Sequence, residues 1–225
     1  MTGLLLMGLL IGMRHALEAD HVAALVSLGR SNYSVRYDIR QGVVWGLGHS
    51  ITLFLFGSGA ILIGSAMPQR LAAGLECAVG IMLILLGADL LRRLVVERVH
   101  FDLPDPAGAG SRSQAGSQDH RPAEAFPVRA LLVGLMHGMA GSAALIVLTL
   151  QRVDSPLAAM LYILLFGIGS MFGMALVSAI IAFPLRRLEN RPAWLGKGFR
   201  LVVGSATTLL GLTVVYQSHV ALMIT

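Results

Sequence analysis

Residues 12 to 25 read GMRHALEADHVAAL, which places Arg14, His15, Glu18, Asp20 and His21 inside an otherwise apolar run. Imidazole and carboxylate together are ligands for borderline divalent ions such as nickel, cobalt or zinc, and they suit copper(I), magnesium or calcium less well. Two further histidines sit in apolar surroundings, His49 in GLGHS and His137 in GLMHGMAG. The single cysteine, Cys77, excludes an intrachain disulfide framework and a thiolate cluster from one chain. A metal here would be held by imidazole, carboxylate or thioether. Met13, Met136 and Met139 argue mildly for a softer ion, although methionine in an apolar core is more often packing filler.

On a regular helix turning about 100° per residue, Arg14, His15, Glu18 and His21 share a stripe roughly 120° wide, with Asp20 about 100° outside it. Either the helix is distorted around Ala19 and Asp20, or Asp20 orients a histidine from behind. A plainer reading pairs Arg14 with Glu18 at i and i+4 and uses the histidines as interhelical hydrogen-bond donors and acceptors. For His137, set among Gly138, Met139, Ala140 and Gly141, packing is as good an explanation as ligation. Asp89, beside Arg92 and Arg93, reads as an end-of-helix ion pair. His100, His120 and His219 receive no role.

The elements that carry these residues are apolar helices. Of 225 residues, 56% are hydrophobic and 13% charged, and the mean hydropathy is +0.75, which is the composition of an integral membrane protein. About 20 apolar residues at roughly 1.5 Å each span a hydrocarbon core. Six segments qualify, near Leu4 to Leu28, Val43 to Ile63, Leu71 to Leu91, Val128 to Leu150, Leu157 to Pro184 and Phe199 to Ile224. The first lacks a basic leader and carries its charges in mid-run, so a cleaved signal peptide is not expected.

The net charge of +5 does not point to nucleic acid, because the 17 Lys and Arg residues sort by side. Arg30, Arg36 and Arg40 follow the first segment. Arg92, Arg93, Arg98, Arg112, Arg121 and Arg129 follow the third, and Arg186, Arg187, Arg191, Lys197 and Arg200 follow the fifth. Only Arg70 and Arg152 lie opposite, with Arg14 inside a span, so the positive-inside rule makes the first set cytoplasmic and both termini external in a plasma (inner) membrane. The connection over residues 92–127, rich in Pro, Gly, Ser, Ala and Gln, reads as a flexible cytoplasmic linker between a first three-helix unit, residues 1–91, and a second, residues 128–225.

Those units repeat. LLIGMRHALEADHVAAL over LLVGLMHGMAGSAALIV pairs Gly12 with Gly134 and His15 with His137 at an offset of 122. GLGHS over GIGSM gives 121, and VGIMLILLG over VGSATTLLG gives 124. Near-equal offsets in chain order argue for duplication. A three-span unit is odd, so its second copy crosses in the opposite sense, the inverted-repeat plan of secondary transporters with sites near the midplane. The expected fold is therefore all-α, six transmembrane helices in two inverted three-helix repeats.

Depth supports one site. With the first helix centred near Ala16, His15 lies at mid-depth, and His21, His49 and His137 fall about 7.5, 6 and 3 Å to the cytoplasmic side. Each ionisable group at that depth costs roughly 2.5 to 3.5 kcal/mol on insertion scales. Something must offset the cost of grouping His15, Glu18, Asp20, His21, His49 and His137 there.

RHALEADH has the H-x-x-x-x-D-H pattern of the nickel/cobalt transporter family, and LGHS at Leu47 to Ser50 is similar to that family's second signature. GLMHGMAGSAAL, Gly134 to Leu145, resembles the short urease-accessory (UreH) type related to those permeases. The resemblance implies that His15, Asp20 and His21 bind the metal and that His49 contributes. It departs in having six expected helices where many such permeases have eight, and in Glu18 where that family often has aspartate.

No G-x-x-x-x-G-K-[ST] loop is present to hydrolyse ATP. The expected function is electrogenic uptake of Ni(II) or Co(II), with no permanently bound cofactor and no enzymatic activity, for a metalloenzyme such as urease. A linker with only His100 and His120 favours import over export. The alternatives are a divalent-metal exporter, a membrane-embedded zinc hydrolase with three histidine ligands and Asp20 or Glu18 as base, and a haem carrier with paired axial histidines.

Overall fold

Helices that are apolar on every side bury one face in protein and leave the others for lipid. The chain is built from such elements. The computed structural model describes residues 2–29, 34–63, 68–99, 126–139, 155–189 and 193–224. Every regular element among them is an α-helix: α1 Thr2–His15, α2 Ala19–Leu28, α3 Val35–Ile63, α4 Gln69–Val99, α5 Val128–Met139, α6 Pro156–Glu189 and α7 Ala193–Ile224. Of these, α3, α4, α6 and α7 are long and apolar enough to cross a membrane, while α1, α2 and α5 are shorter apolar helices.

The starts are set by proline. Pro68 and Pro127 precede α4 and α5, and their carbonyls accept the amides of Ala72 at 3.1 Å and Leu131 at 3.2 Å. Pro156 opens α6, where its missing N–H costs nothing, and the Ser155 carbonyl accepts the Ala159 amide at 3.0 Å.

The expected single first helix is divided. Leu17 and Glu18 turn back to the carbonyls of Arg14 and His15 at 2.9 and 3.0 Å, tightening the end of α1. Glu18 then takes an extended conformation (φ −62°, ψ 147°) as the N-cap of α2. At the far end of α2, Gln41 Nε2 donates to the Leu28 carbonyl at 3.2 Å, meeting one of the acceptors a helix end leaves over. The fourth expected segment is seen from Val128 to Met139, and its remainder lies outside the described residues.

Helix α3 packs on α6, α4 on α7 and α1 on α6. Glycine makes these contacts backbone-close. A Cβ on Gly12 (α1) would meet the Phe166 carbonyl of α6, and one on Gly134 (α5) would meet the Trp45 carbonyl of α3. Between α4 and α7, Gly80 faces the Gly211 carbonyl while Gly87 faces that of Gly204. Ser50 Oγ crosses from α3 to the Gly167 carbonyl of α6 at 2.8 Å, and Ser27 Oγ of α2 meets Thr207 Oγ1 of α7 at 3.2 Å. The main core gathers Ala24, Leu25, Trp45, Leu83, Val133 and Met174. A second, around Leu53, Ile163 and Phe166, lies where α3 meets α6. Outside, large apolar side chains such as Leu55, Leu85, Phe172 and Val202 stand exposed along the long helices, the surface that a hydrocarbon solvent would cover.

Candidate metal centre

The break after His15 turns what would be one stripe into a cluster. His15 ends α1, His21 lies in the first turn of α2, His49 comes from the middle of α3 and His137 from α5. Ring centroids are 4.5 Å apart for His15 and His21, 5.4 Å for His15 and His49, 5.3 Å for His21 and His49, and 4.3 Å for His21 and His137. His21, His49 and His137 are buried.

Carboxylates hold three of the four rings from behind. Glu18 Oε1 accepts from His15 Nδ1 at 2.9 Å, Asp20 Oδ1 from His21 Nδ1 at 2.9 Å, and Asp20 Oδ2 from His137 Nε2 at 2.9 Å. Asp20 also accepts the backbone N–H of His21 at 2.9 Å. It sits in the first turn of α2, where the positive end of the helix dipole favours a negative charge. A carboxylate that fixes one ring nitrogen as N–H leaves the other as a lone pair, the arrangement usual behind metal-binding histidines.

The remaining ring nitrogens have no hydrogen-bond partner: His15 Nε2, His21 Nε2, both nitrogens of His49, and His137 Nδ1 are buried and unmet. Leaving a buried polar group unmet costs about 1 to 3 kcal/mol, so a concentration of such atoms marks a site rather than a core. Two groups could hold an ion, His15/His21/His49 and Asp20/His21/His137, with the ligand atoms of each within 4.8 Å of one another. Nitrogens bound at roughly 2.1 Å to a single ion stand about 3 to 4 Å apart, so each group needs to draw in by only about an ångström.

Aromatic walls close the cluster. Trp45 stacks on His21 with centroids 5.6 Å apart and lies edge-on to His137 at 5.8 Å, while Phe166 flanks His15 at 5.3 Å.

One relative is a urease accessory protein UreH from Bacillus sp. (strain TB-90), 30% identical over 221 residues that cover 96% of this chain and 92% of that protein. The chain belongs to the UreH family of urease accessory proteins. A more distant relative of this UreH-type chain, the Arabidopsis thaliana chloroplast protein FOR GROWTH AND FERTILITY 1, is 25% identical over 194 residues, covering 82% of this chain and about half (51%) of that protein. No family model matches the sequence, and no solved structure does.

All six residues singled out in this UreH-family chain, His15, Glu18, Asp20, His21, His49 and His137, meet in one cluster. The expected Arg14–Glu18 pair is corrected. Glu18 bonds His15 instead, because the break resets the helical phase and i, i+4 spacing no longer aligns the two; Arg14 is exposed. Asp89 does accept from Arg93, at 2.5 Å, but its second partner at 2.8 Å is Arg129 of α5 rather than Arg92. His219 is exposed near the end of α7, and His100 and His120 lie outside the described residues. Sequence reading missed the two rings, Trp45 and Phe166. Trp45 precedes His49 by one turn and Phe166 precedes Gly167 as Trp45 precedes Gly46, so both were legible as paired bulky residues at the 121-residue offset.

Proposed function

We propose that this UreH-family chain is a membrane permease of the nickel/cobalt transporter superfamily that takes up Ni²⁺, or Co²⁺, for a metalloenzyme such as urease. The observation that carries the reading is the set of buried, unmet ring nitrogens on His15, His21 and His49, with Glu18 behind His15 and Asp20 behind His21. Neutral imidazoles with carboxylates behind them present lone pairs to a dication and add negative charge nearby. Ligation there would replace part of the ion's hydration shell, and no group in the cluster needs to perform bond chemistry.

The architecture in this reading is two inverted repeats in a plasma membrane, with both termini external. Packing supports it. Applying the repeat offset turns the α1–α6 contact Gly12–Phe166 into the α5–α3 contact Gly134–Trp45, and turns Gly80–Gly211 into Gly204–Gly87. Such exchange is what a two-fold relation between halves produces, and rocking one half against the other would open the site alternately to each side. The membrane potential supplies the drive. Two charges moved through ~100 mV gain about 4.6 kcal/mol.

Radioactive nickel uptake by cells expressing the wild type and the His21→Ala variant, with and without a potential-dissipating ionophore, tests the proposal. Uptake above that of empty cells, abolished by the substitution and by the ionophore, is the expected result. Wild-type uptake equal to that of empty cells, with the protein confirmed in the membrane, would sink nickel import.

A further inference from the structure

The two candidate ligand groups share one residue, His21, whose two ring nitrogens differ in their surroundings. Its Nε2 is buried and unmet, and the rings of His15 and His49 lie 4.5 and 5.3 Å from its own, centroid to centroid. Its Nδ1 bonds Asp20, which in turn bonds His137. A neutral imidazole has one lone pair, on whichever nitrogen lacks the proton. His21 can therefore bind an ion on one edge or on the other, and not on both.

We propose that His21 passes the ion between two mutually exclusive positions, an Nε2 position completed by His15 and His49 and an Nδ1 position completed by Asp20 and His137. The inference rests on the transport reading above and deepens it. In the Nε2 position every ligand belongs to α1, α2 and α3. In the Nδ1 position His137 of α5 enters, so the second half of the chain takes hold of the ion only there. The hydrogen bonds of Asp20 to His21 and His137, each 2.9 Å, occupy the Nδ1 position when the ion is on the other edge. They hold its ligands at close range.

Protons balance across the transfer. With the ion on Nε2, His21 carries its proton on Nδ1, donated to Asp20. With the ion on Nδ1, that proton resides on Nε2. His137 likewise moves its proton from Nε2 to Nδ1, which is unmet in this state. Both rings stay neutral, each keeps one proton, and Asp20 exchanges two hydrogen bonds for one metal bond. The hand-over needs no net proton uptake or release by these residues.

The test uses the full chain purified and reconstituted in lipid vesicles, with Co²⁺ and Ni²⁺ as probes, and compares His49→Gln with His137→Gln. Glutamine at 137 can still donate to Asp20, which preserves the local fold, and helix content by circular dichroism checks both variants. Expected for His49→Gln is at least a ten-fold loss of Co²⁺ affinity and an altered cobalt absorption spectrum. Expected for His137→Gln is a spectrum and affinity close to wild type together with at least a ten-fold loss of potential-driven Ni²⁺ entry. Equal losses of affinity and equal spectral changes in the two variants would mean one four-ligand site and overturn the proposal. So would wild-type entry rates in His137→Gln. Wild-type protein that binds neither ion would instead overturn the transport reading on which the proposal stands.

Discussion

The rings of His15 and His21 lie 4.5 Å apart, centroid to centroid, although they are six positions apart in the chain. On an unbroken helix that spacing would set them about 9 Å apart along the axis and some 120° around it. The irregular stretch from Ala16 to Glu18 folds the second histidine back beside the first. The defect in the helix is thus the device that assembles the cluster.

His49 is fully buried with neither ring nitrogen met. Replacing it with leucine should abolish high-affinity Co²⁺ binding while leaving thermal stability equal to or above wild type, because an unmet polar ring gives way to an apolar side chain. Equilibrium dialysis and the unfolding midpoint in detergent check the two halves. A midpoint several degrees lower with binding intact would reverse the assignment.

Asp20→Asn keeps size and some hydrogen bonding but removes the charge behind His21 and His137. Partners of this kind typically contribute 10- to 100-fold in metal affinity. A loss in that range is expected by Co²⁺ titration, with little change in helix content.

Trp45 stacks on His21 at 5.6 Å, while the other tryptophan, Trp194, is 71% exposed at the start of α7. In a Trp194→Phe background, the emission of Trp45 should be quenched by Ni²⁺ or Co²⁺, saturably, and much less by Zn²⁺, whose filled d shell gives no low-lying acceptor states. Quenching that persists undiminished in the His21→Ala variant would place the ion elsewhere.

Gly138 of α5 lies against the His49 carbonyl of α3, where an added Cβ has no room. Gly138→Ala should push α5 outward, lengthen the reach from His137 to Asp20, and reduce Ni²⁺ entry several-fold without touching any proposed ligand. The effect is read in the same vesicle assay as the histidine variants.

Asp89 joins α4 to α5 through Arg93 and Arg129, with the three side chains 30 to 46% exposed. Exposed ion pairs contribute about 0 to 1 kcal/mol. Asp89→Asn should therefore lower the unfolding midpoint by no more than a few degrees and leave metal binding unchanged.

The polar residues of the cluster were legible in the sequence because charge at mid-depth of an apolar run has few explanations, and because the repeat and the depth arithmetic converged on the same histidines. What hid was geometry. Nothing in ALEA announces a helix break, since alanine, leucine and glutamate all favour helix, and the Arg14–Glu18 pairing followed from assuming continuity. The role of Arg129 was invisible because its partner lies 40 residues away in sequence. Among the described residues four helices are long enough to span a membrane, and the first expected span is split in two; apolar length alone shows where a helix can run, not where it bends.

The glycine contacts between α1 and α6, and between α5 and α3, bring main chain against main chain at Gly12 and Gly169, and at Gly48 and Gly134. Surfaces locked by interdigitated side chains must change rotamers before they can shift. A seam where backbone meets backbone has fewer such teeth, and it can act as a bearing along which neighbouring rods slip by small distances while staying in contact.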